Sequence, residues 1–423
     1  MAEIGTIPEQ TKQRLETMGA ADIVIGLIDQ KGGGDVASTA DGIRRALGGL
    51  TTSVRAVVVY NDTAASPGPP RLPEGVEDDF LRFLPYSLPA LDPSITLAQS
   101  IANAHRAIWG ISDTIGARAC VILTSAPEDV TPSWIHALAE PILEQNFDLV
   151  APCYVPHKFE GLLNAAILYP LTRAVYGKRI QNPLGPDFGF GARLVRSLLQ
   201  LDAAKAKIGA ANQFLPVGPV AVVRGFKVCQ THLGERAHSP VDWKNLDSVI
   251  AGVLGPMFLD IERDAPFWQH IRNSEAVSTY GDHRLPAEEQ ENVAFDLHRL
   301  LDPFQLGFRN LREIWALVLP PGALLELNKA HRLPPEQFRI PDELWTRIIY
   351  DFALAYRLRT IGRDHLLRAM TPLYLGWVAS YALEVESMEA AGVQKRLERL
   401  CTAFENGKPY LLSRWRWPDR FNP

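Results

Sequence analysis

Acids and bases suited to an anionic, hydroxyl-rich ligand recur just beyond short apolar runs in this chain. Asp29-Gln30-Lys31-Gly32-Gly33-Gly34 follows ADIVIGLI. Lys31 precedes the glycines, so the Gly-x-x-x-x-Gly-Lys-Ser/Thr order of a phosphate loop is absent, as is Gly-x-Gly-x-x-Gly. A plain loop, or a contact of Asp29 and Lys31 with a nucleotide sugar, remains. Asp62 closes SVRAVVVYND; its carboxylate can accept hydrogen bonds from a base or ribose, or cap the turn that follows. His157, Lys158, Arg173, Lys178 and Arg179 bring positive charge to a strand end and the next helix. Arginine grips phosphate or carboxylate with two prongs, although such residues also serve as a solvated helix face. Asp187 stands in Pro183-Leu184-Gly185-Pro186-Asp187-Phe188-Gly189. It can orient a sugar hydroxyl, act as a base, or cap the turn. His238 in LGERAHSP follows the strand-like GFKVCQ and reads as a ligand or as a hydrogen-bonded structural histidine. No HExxH, nucleophile elbow or close cysteine pair is present, which leaves hydrolase and zinc-enzyme chemistry unsupported.

These residues need a scaffold. Short runs rich in branched residues at 21–28, 53–62, 80–86, 119–125 and 148–155 predict strands. Helical patterns fall at 1–20, 38–47 and 95–115, and another opens at Thr131-Pro132, with proline in its first turn. Alternating strands and helices predict a mainly parallel α/β sheet. Ligands of such sheets sit beyond the carboxyl ends of the strands, which here are Asp29, Asp62, Thr124 to Ala126, and Pro152 to His157. The fourth run, VILTS, ends in Thr124-Ser125-Ala126, where an enzyme of this build would carry acids. From about 246 the apolar residues recur at three- and four-residue spacing, so the predicted division is an α/β domain over 1–245 and a mainly helical domain over 246–423.

Composition narrows the class. A chain of 423 residues can bury a large core, and a net charge of -5 without a basic stripe argues against nucleic acid as a partner. The N-terminus MAEIGTIPEQTKQ has no apolar signal region and no stretch reaches membrane-span length, so a cytoplasmic protein without a membrane partner is expected. The four cysteines are scattered in apolar runs and read as buried free thiols.

With these segments in place, the chain resembles GT-A-fold glycosyltransferases of the glucosylglycerate and mannosylglycerate synthase type. The matching stretches include ADIVIGL, RAVVVYND, the long run from TPSWIHALAEP to PLGPDFGFG, GFKVCQTHLGERAH, LGPMF, PLYLGWVASYALEVESMEAAG and LCTAFENGKPYL. The resemblance implies a GT-A-like nucleotide-sugar domain with a mainly parallel sheet, followed by a helical C-terminal region. It implies retaining transfer of a hexose from a GDP- or UDP-sugar to glycerate or a related small acidic acceptor, with Mg²⁺ or Mn²⁺. Carried onto this sequence, it assigns Asp62 to the nucleotide, His157, Lys158 and Arg173 to the basic donor or acceptor side, Asp187 to the sugar, and His238 to the metal. The family's Asp-x-Asp pair falls on Thr124, Ser125 and Ala126, which leaves Ser125 as a nucleotide contact and Glu128 and Asp129 as substitute metal ligands. A lysine-glycine element and a later acid are also missing, in DPSITLAQSIANAHRAIWG and IGAANQFLPVGPVAVV. A catalytically degenerate homologue that binds a sugar, a nucleotide or a partner protein is therefore the alternative. It would pair as a homodimer or with an active homologue, through Trp- and Tyr-bearing C-terminal helices that otherwise form core.

Overall fold

The computed structural model describes residues 9–28, 36–50, 53–61, 77–86, 97–124, 131–155, 158–207, 214–235, 245–281 and 296–418. Their contacts divide the chain into two units. The first holds 1–154, 180–237 and 277–284; the second holds 155–179, 238–276 and 285–423. The chain thus leaves the first unit after residue 154 and returns to it twice.

In the first unit, α1 (Glu9–Met18) precedes β1 (Ile23–Leu27), α2 (Val36–Gly48), β2 (Ala56–Asn61), β3 (Leu81–Tyr86), α3 (Leu97–Thr114), β4 (Ala119–Leu123), α4 (Pro132–Leu143) and β5 (Leu149–Tyr154). The fully buried runs IVIGL and ACVIL become central parallel strands, as continuous apolar segments covered on both faces should. Pro85 is tolerated because β3 is an edge strand, where a missing N–H costs no ladder bond. At the start of α4, Pro132 occupies the first turn as predicted. The Thr131 hydroxyl meets Ser133 Oγ at 2.8 Å rather than a backbone N–H.

The eight-stranded sheet runs β10-β8-β5-β7-β4-β1-β2-β3, with β7 (Phe188–Gly191), β8 (Val228–Gly234) and β10 (Ser278–Tyr280). All pairings are parallel except those of β7, which lies antiparallel between β4 and β5. α6 (Ala192–Lys207) follows β7, and α7 (Val217–Val223) leads into β8. Side chains alternating along the strands feed two cores. Val24, Trp109, Phe188 and Phe190 belong to one, and Ile25, Phe83, Trp134 and Val150 to the other. Gly189 lets α4 lie close on β7: a Cβ there would stand 2.3 Å from the Leu138 carbonyl oxygen. This sheet, followed by a helical C-terminal region, is the GT-A-like α/β fold expected from the sequence.

The second unit opens with a π-helical turn, Asn164–Leu168, that runs into α5 (Tyr169–Tyr176). α5 ends at Gly177 in the left-handed conformation, φ 73°, with its N–H on the Arg173 carbonyl at 3.0 Å. A two-stranded ribbon pairs β6 (Lys178–Arg179) with β9 (Glu275–Ala276). The remaining elements are α8 (Leu246–Arg263), α9 (Ala265–Trp268), α10 (Leu297–Asn310), α11 (Arg312–Ala316), α12 (Pro321–His331), α13 (Asp342–Leu358), α14 (Arg363–Val385) and α15 (Ala390–Arg416). The helical texture predicted from about 246 is present, but β9 and β10 interrupt it.

Trp345, Trp377 and Tyr381 are each 0% exposed and stack in series, with ring centroids 5.9 and 5.2 Å apart. Trp345 Nε1 donates to the Ala166 carbonyl at 2.9 Å. These three aromatic residues are therefore core, whereas Trp417, just after α15, is 57% exposed. All four cysteines are buried free thiols, and burial pushes each thiol up to about 12. Among the described residues, no helix is long and apolar enough to cross a membrane.

Candidate functional site at the strand ends

The strand order reverses between β1 and β4: the chain builds outward through β2 and β3, then returns to lay β4 on the other side of β1. A crevice at such a switch point, beyond the carboxyl ends of the strands, is where α/β sheets take ligands. The two ends are level, with Leu27 paired to Leu123 and Ile28 N–H donating to the Leu123 carbonyl at 2.8 Å.

The antiparallel strand completes this edge. Ile122 pairs with Phe188, so the residues that precede β7 arrive where β4 ends. Asp187 is 0% exposed. Its Oδ1 accepts the Thr124 backbone N–H at 2.7 Å, and its Oδ2 accepts the Tyr154 hydroxyl. Thr124 Oγ1 donates in turn to the Pro186 carbonyl at 2.7 Å. A buried carboxyl group needs such partners, because leaving its oxygens unsatisfied is costly. The loop before β7 is pinned as well: Asn182 Nδ2 donates to the Pro152 carbonyl at 3.1 Å, and Gly218 N–H to the Pro183 carbonyl at 3.1 Å. Asp187 thus ties together the ends of β4 and β5. Tyr154, which the sequence reading did not single out, is the second half of that tie.

Arg173 belongs to the second unit and has other work than the anion grip expected of it. It is 2% exposed. Its Nε and Nη2 donate to the two oxygens of Glu405, at 2.9 and 3.2 Å, and its Nη1 donates to Glu398 Oε2 at 2.7 Å. Burial disfavours the guanidinium charge, but the bonds to Glu398 and Glu405 outweigh burial and raise its pKa. A phosphate or carboxylate would have to displace two carboxylates already in place. Lys158, in the same unit and partly exposed, donates to the Glu386 carbonyl at 3.4 Å.

The other expected contacts, Asp29, Lys31, Asp62, Ser125, Glu128, Asp129, His157 and His238, lie outside the described residues. Among the described residues, no group of three or more His, Cys, Asp or Glu could hold a metal ion. Among the described residues at the end of β4, the donors are a threonine hydroxyl that donates to Pro186 and a single buried carboxyl group that accepts two hydrogen bonds. A hard cation such as Mg²⁺ asks for several free oxygen ligands, and these residues do not fit one.

No family model matches the sequence, and no curated protein does. Among solved structures, the chain is similar to mannosyl-3-phosphoglycerate synthase from Rubrobacter xylanophilus, at 13% identity and a TM-score of 0.37, over 68% of this chain and 84% of that one. It is also similar to glucosyl-3-phosphoglycerate synthase from Mycobacterium tuberculosis in complex with Mn²⁺, UDP and glucosyl-3-phosphoglycerate. That match has 15% identity and a TM-score of 0.32, over 61% of this chain and 85% of that one.

Proposed function

We propose that this chain is a glycosyltransferase-like protein that takes a nucleotide sugar at the carboxyl edge of its sheet, beside the ends of β1 and β4. The hexose would pass from a GDP- or UDP-sugar to glycerate or a related small acid. In that transfer the bond from the anomeric carbon to the diphosphate breaks, a bond to the acceptor hydroxyl oxygen forms, and the hydroxyl proton passes to the departing nucleoside diphosphate. The observation that carries the reading is the switch point itself. The parallel strands end at one edge there, and Asp29, Asp62, Ser125 and His238 each follow a strand end within a few residues in the sequence. On this reading Asp29, Lys31, Asp62 and Ser125 meet the nucleotide, and His157 and Lys158 meet the acidic acceptor. Glu128, Asp129 and His238 are the groups left to hold a metal. Asp187, with both oxygens accepting, serves by holding the strand ends.

A second reading has its own support. The commitment of Arg173 to two glutamates removes a cation that an acidic acceptor would need, which favours a non-catalytic binder of sugar or nucleotide. Calorimetric titration of GDP-mannose, GDP-glucose and UDP-glucose, with and without Mg²⁺ or Mn²⁺, tests both readings when combined with an assay for nucleoside diphosphate release in the presence of glycerate. Binding with release is expected for a transferase. Binding without release selects the binder, and metal-dependent binding restores a metal site built from Glu128, Asp129 or His238. No binding under any condition sinks both readings.

A further inference from the structure

We propose that Tyr154 is a positioning residue for the strand-end site, acting through Asp187 on the backbone of Thr124. The inference rests on the nucleotide-sugar reading above and adds a residue to it. Three observations converge. The Tyr154 hydroxyl donates to Asp187 Oδ2, and Asp187 Oδ1 holds the Thr124 N–H at 2.7 Å, so one buried carboxylate links the last residue of β5 to the first residue after β4. The pairing of β5 with β8 slips by one residue at this place: Cys153 pairs with His232, whereas Tyr154 pairs with Gly234 and Leu233 is skipped. The extra residue is on β8, so β8 rather than β5 bends there, and such bulges gather beside functional sites. The Tyr154 ring is also braced from the core side, with its centroid 6.1 Å from that of Trp134.

Thr124 is the residue from which the chain leaves β4 toward Ser125, at the switch point. A backbone N–H aimed at a fixed carboxylate fixes the peptide between Leu123 and Thr124, the last one before that departure. The tie is a lever: the phenolic O–H holds the carboxylate, and the carboxylate holds the peptide.

The test uses the full chain and the Tyr154→Phe variant, which keeps the ring against Trp134 and removes only the hydroxyl. Two quantities are read: the dissociation constant of the nucleotide sugar that the wild type binds, measured well below the melting midpoint, and hydrogen exchange of the Thr124 amide. The variant is expected to stay folded, to exchange the Thr124 amide faster, and to bind about tenfold more weakly, the scale of one hydrogen bond to a charged group. A lower melting midpoint with unchanged affinity would make Tyr154 a structural tie only and overturn the proposal. Unchanged exchange at Thr124 would overturn the lever. If the wild type itself binds no nucleotide sugar, the functional reading fails first, and the exchange measurement still decides whether the tie exists.

Discussion

Asp187 and Arg173 are both buried ionisable residues, and the same stretch of sequence offered both as ligand contacts. Their surroundings differ in kind. Asp187, at the sheet edge of the first unit, accepts hydrogen bonds from a backbone N–H and a phenol. Arg173, in the helical unit, is held by two carboxylates, and one of them, Glu398, is 55% exposed. A carboxyl group that accepts a backbone N–H fixes the backbone around it. A guanidinium clamped by carboxylates fixes a helix pair and commits its donors in doing so. On the proposed reading, the first residue positions the strand ends and the second is scaffold.

The largest test of that contrast is truncation. Asp187→Ala leaves the Thr124 N–H and the Tyr154 O–H without their acceptor in a fully buried place, and it should cost about 4 kcal/mol. Arg173→Ala should cost less, about 3 kcal/mol, because Glu398 can turn to water and Glu405 keeps the Ser274 hydroxyl. Chemical denaturation of the full chain measures both. If Arg173→Ala proves the more destabilising, the two environments have been ranked the wrong way.

A further buried cation separates the carboxylate-paired case from an unpaired one. Lys408 on α15 is 4% exposed and donates to the Val175 carbonyl at 3.0 Å, near the end of α5. Burial lowers its pKa to about 8, from an ordinary 10.5. Between those two values the unfolded chain holds a proton that the folded chain has released, so this residue's contribution to stability rises with pH across the window. Subtracting the stability of Lys408→Met at each pH cancels the other titrating groups. The difference should shift in favour of the wild type by about 1.5 kcal/mol between pH 8 and 9.5. A flat difference would mean that Lys408 keeps its charge in the fold.

Much of the sheet was legible because its central strands are continuous apolar runs. ADIVIGLI and ACVILTS contain β1 and β4, and the helical pattern at 95–115 contains α3. β7 was not legible. Phe188-Gly189-Phe190-Gly191 is too short to show a period, and its glycines answer to a tertiary demand, the close approach of α4. The division within the central block was hidden for a related reason. β5 and α5 are adjacent in sequence, but they fall in different units, and apolar spacing reports only that a helix has a core face, not which core it joins. Asp187 and Arg173 could be picked out by type. Their partners, Tyr154 and Glu405, stand 33 and 232 residues away, a pairing that only the fold supplies.

The finest test lies inside the Arg173 network. Glu405 and Glu398 share one guanidinium, but their side chains are 25% and 55% exposed. Burial alone would raise the Glu405 pKa; the bonds from Arg173 and Ser274 outweigh burial and lower it. A carboxylate with a depressed folded pKa contributes stability above its unfolded pKa, near 4.5, and loses that contribution as pH falls through the lower folded value. Glu405→Gln should therefore cost about 1 kcal/mol at neutral pH, and the cost should vanish in acid. Glu398→Gln should cost roughly 0.5 kcal/mol or less, as water screens an exposed pair. Equal costs for the two would mean that solvent reaches both carboxylates alike. Arg173 would then sit within reach of an anion from solvent, and the acceptor-binding role expected from its position in the sequence would return.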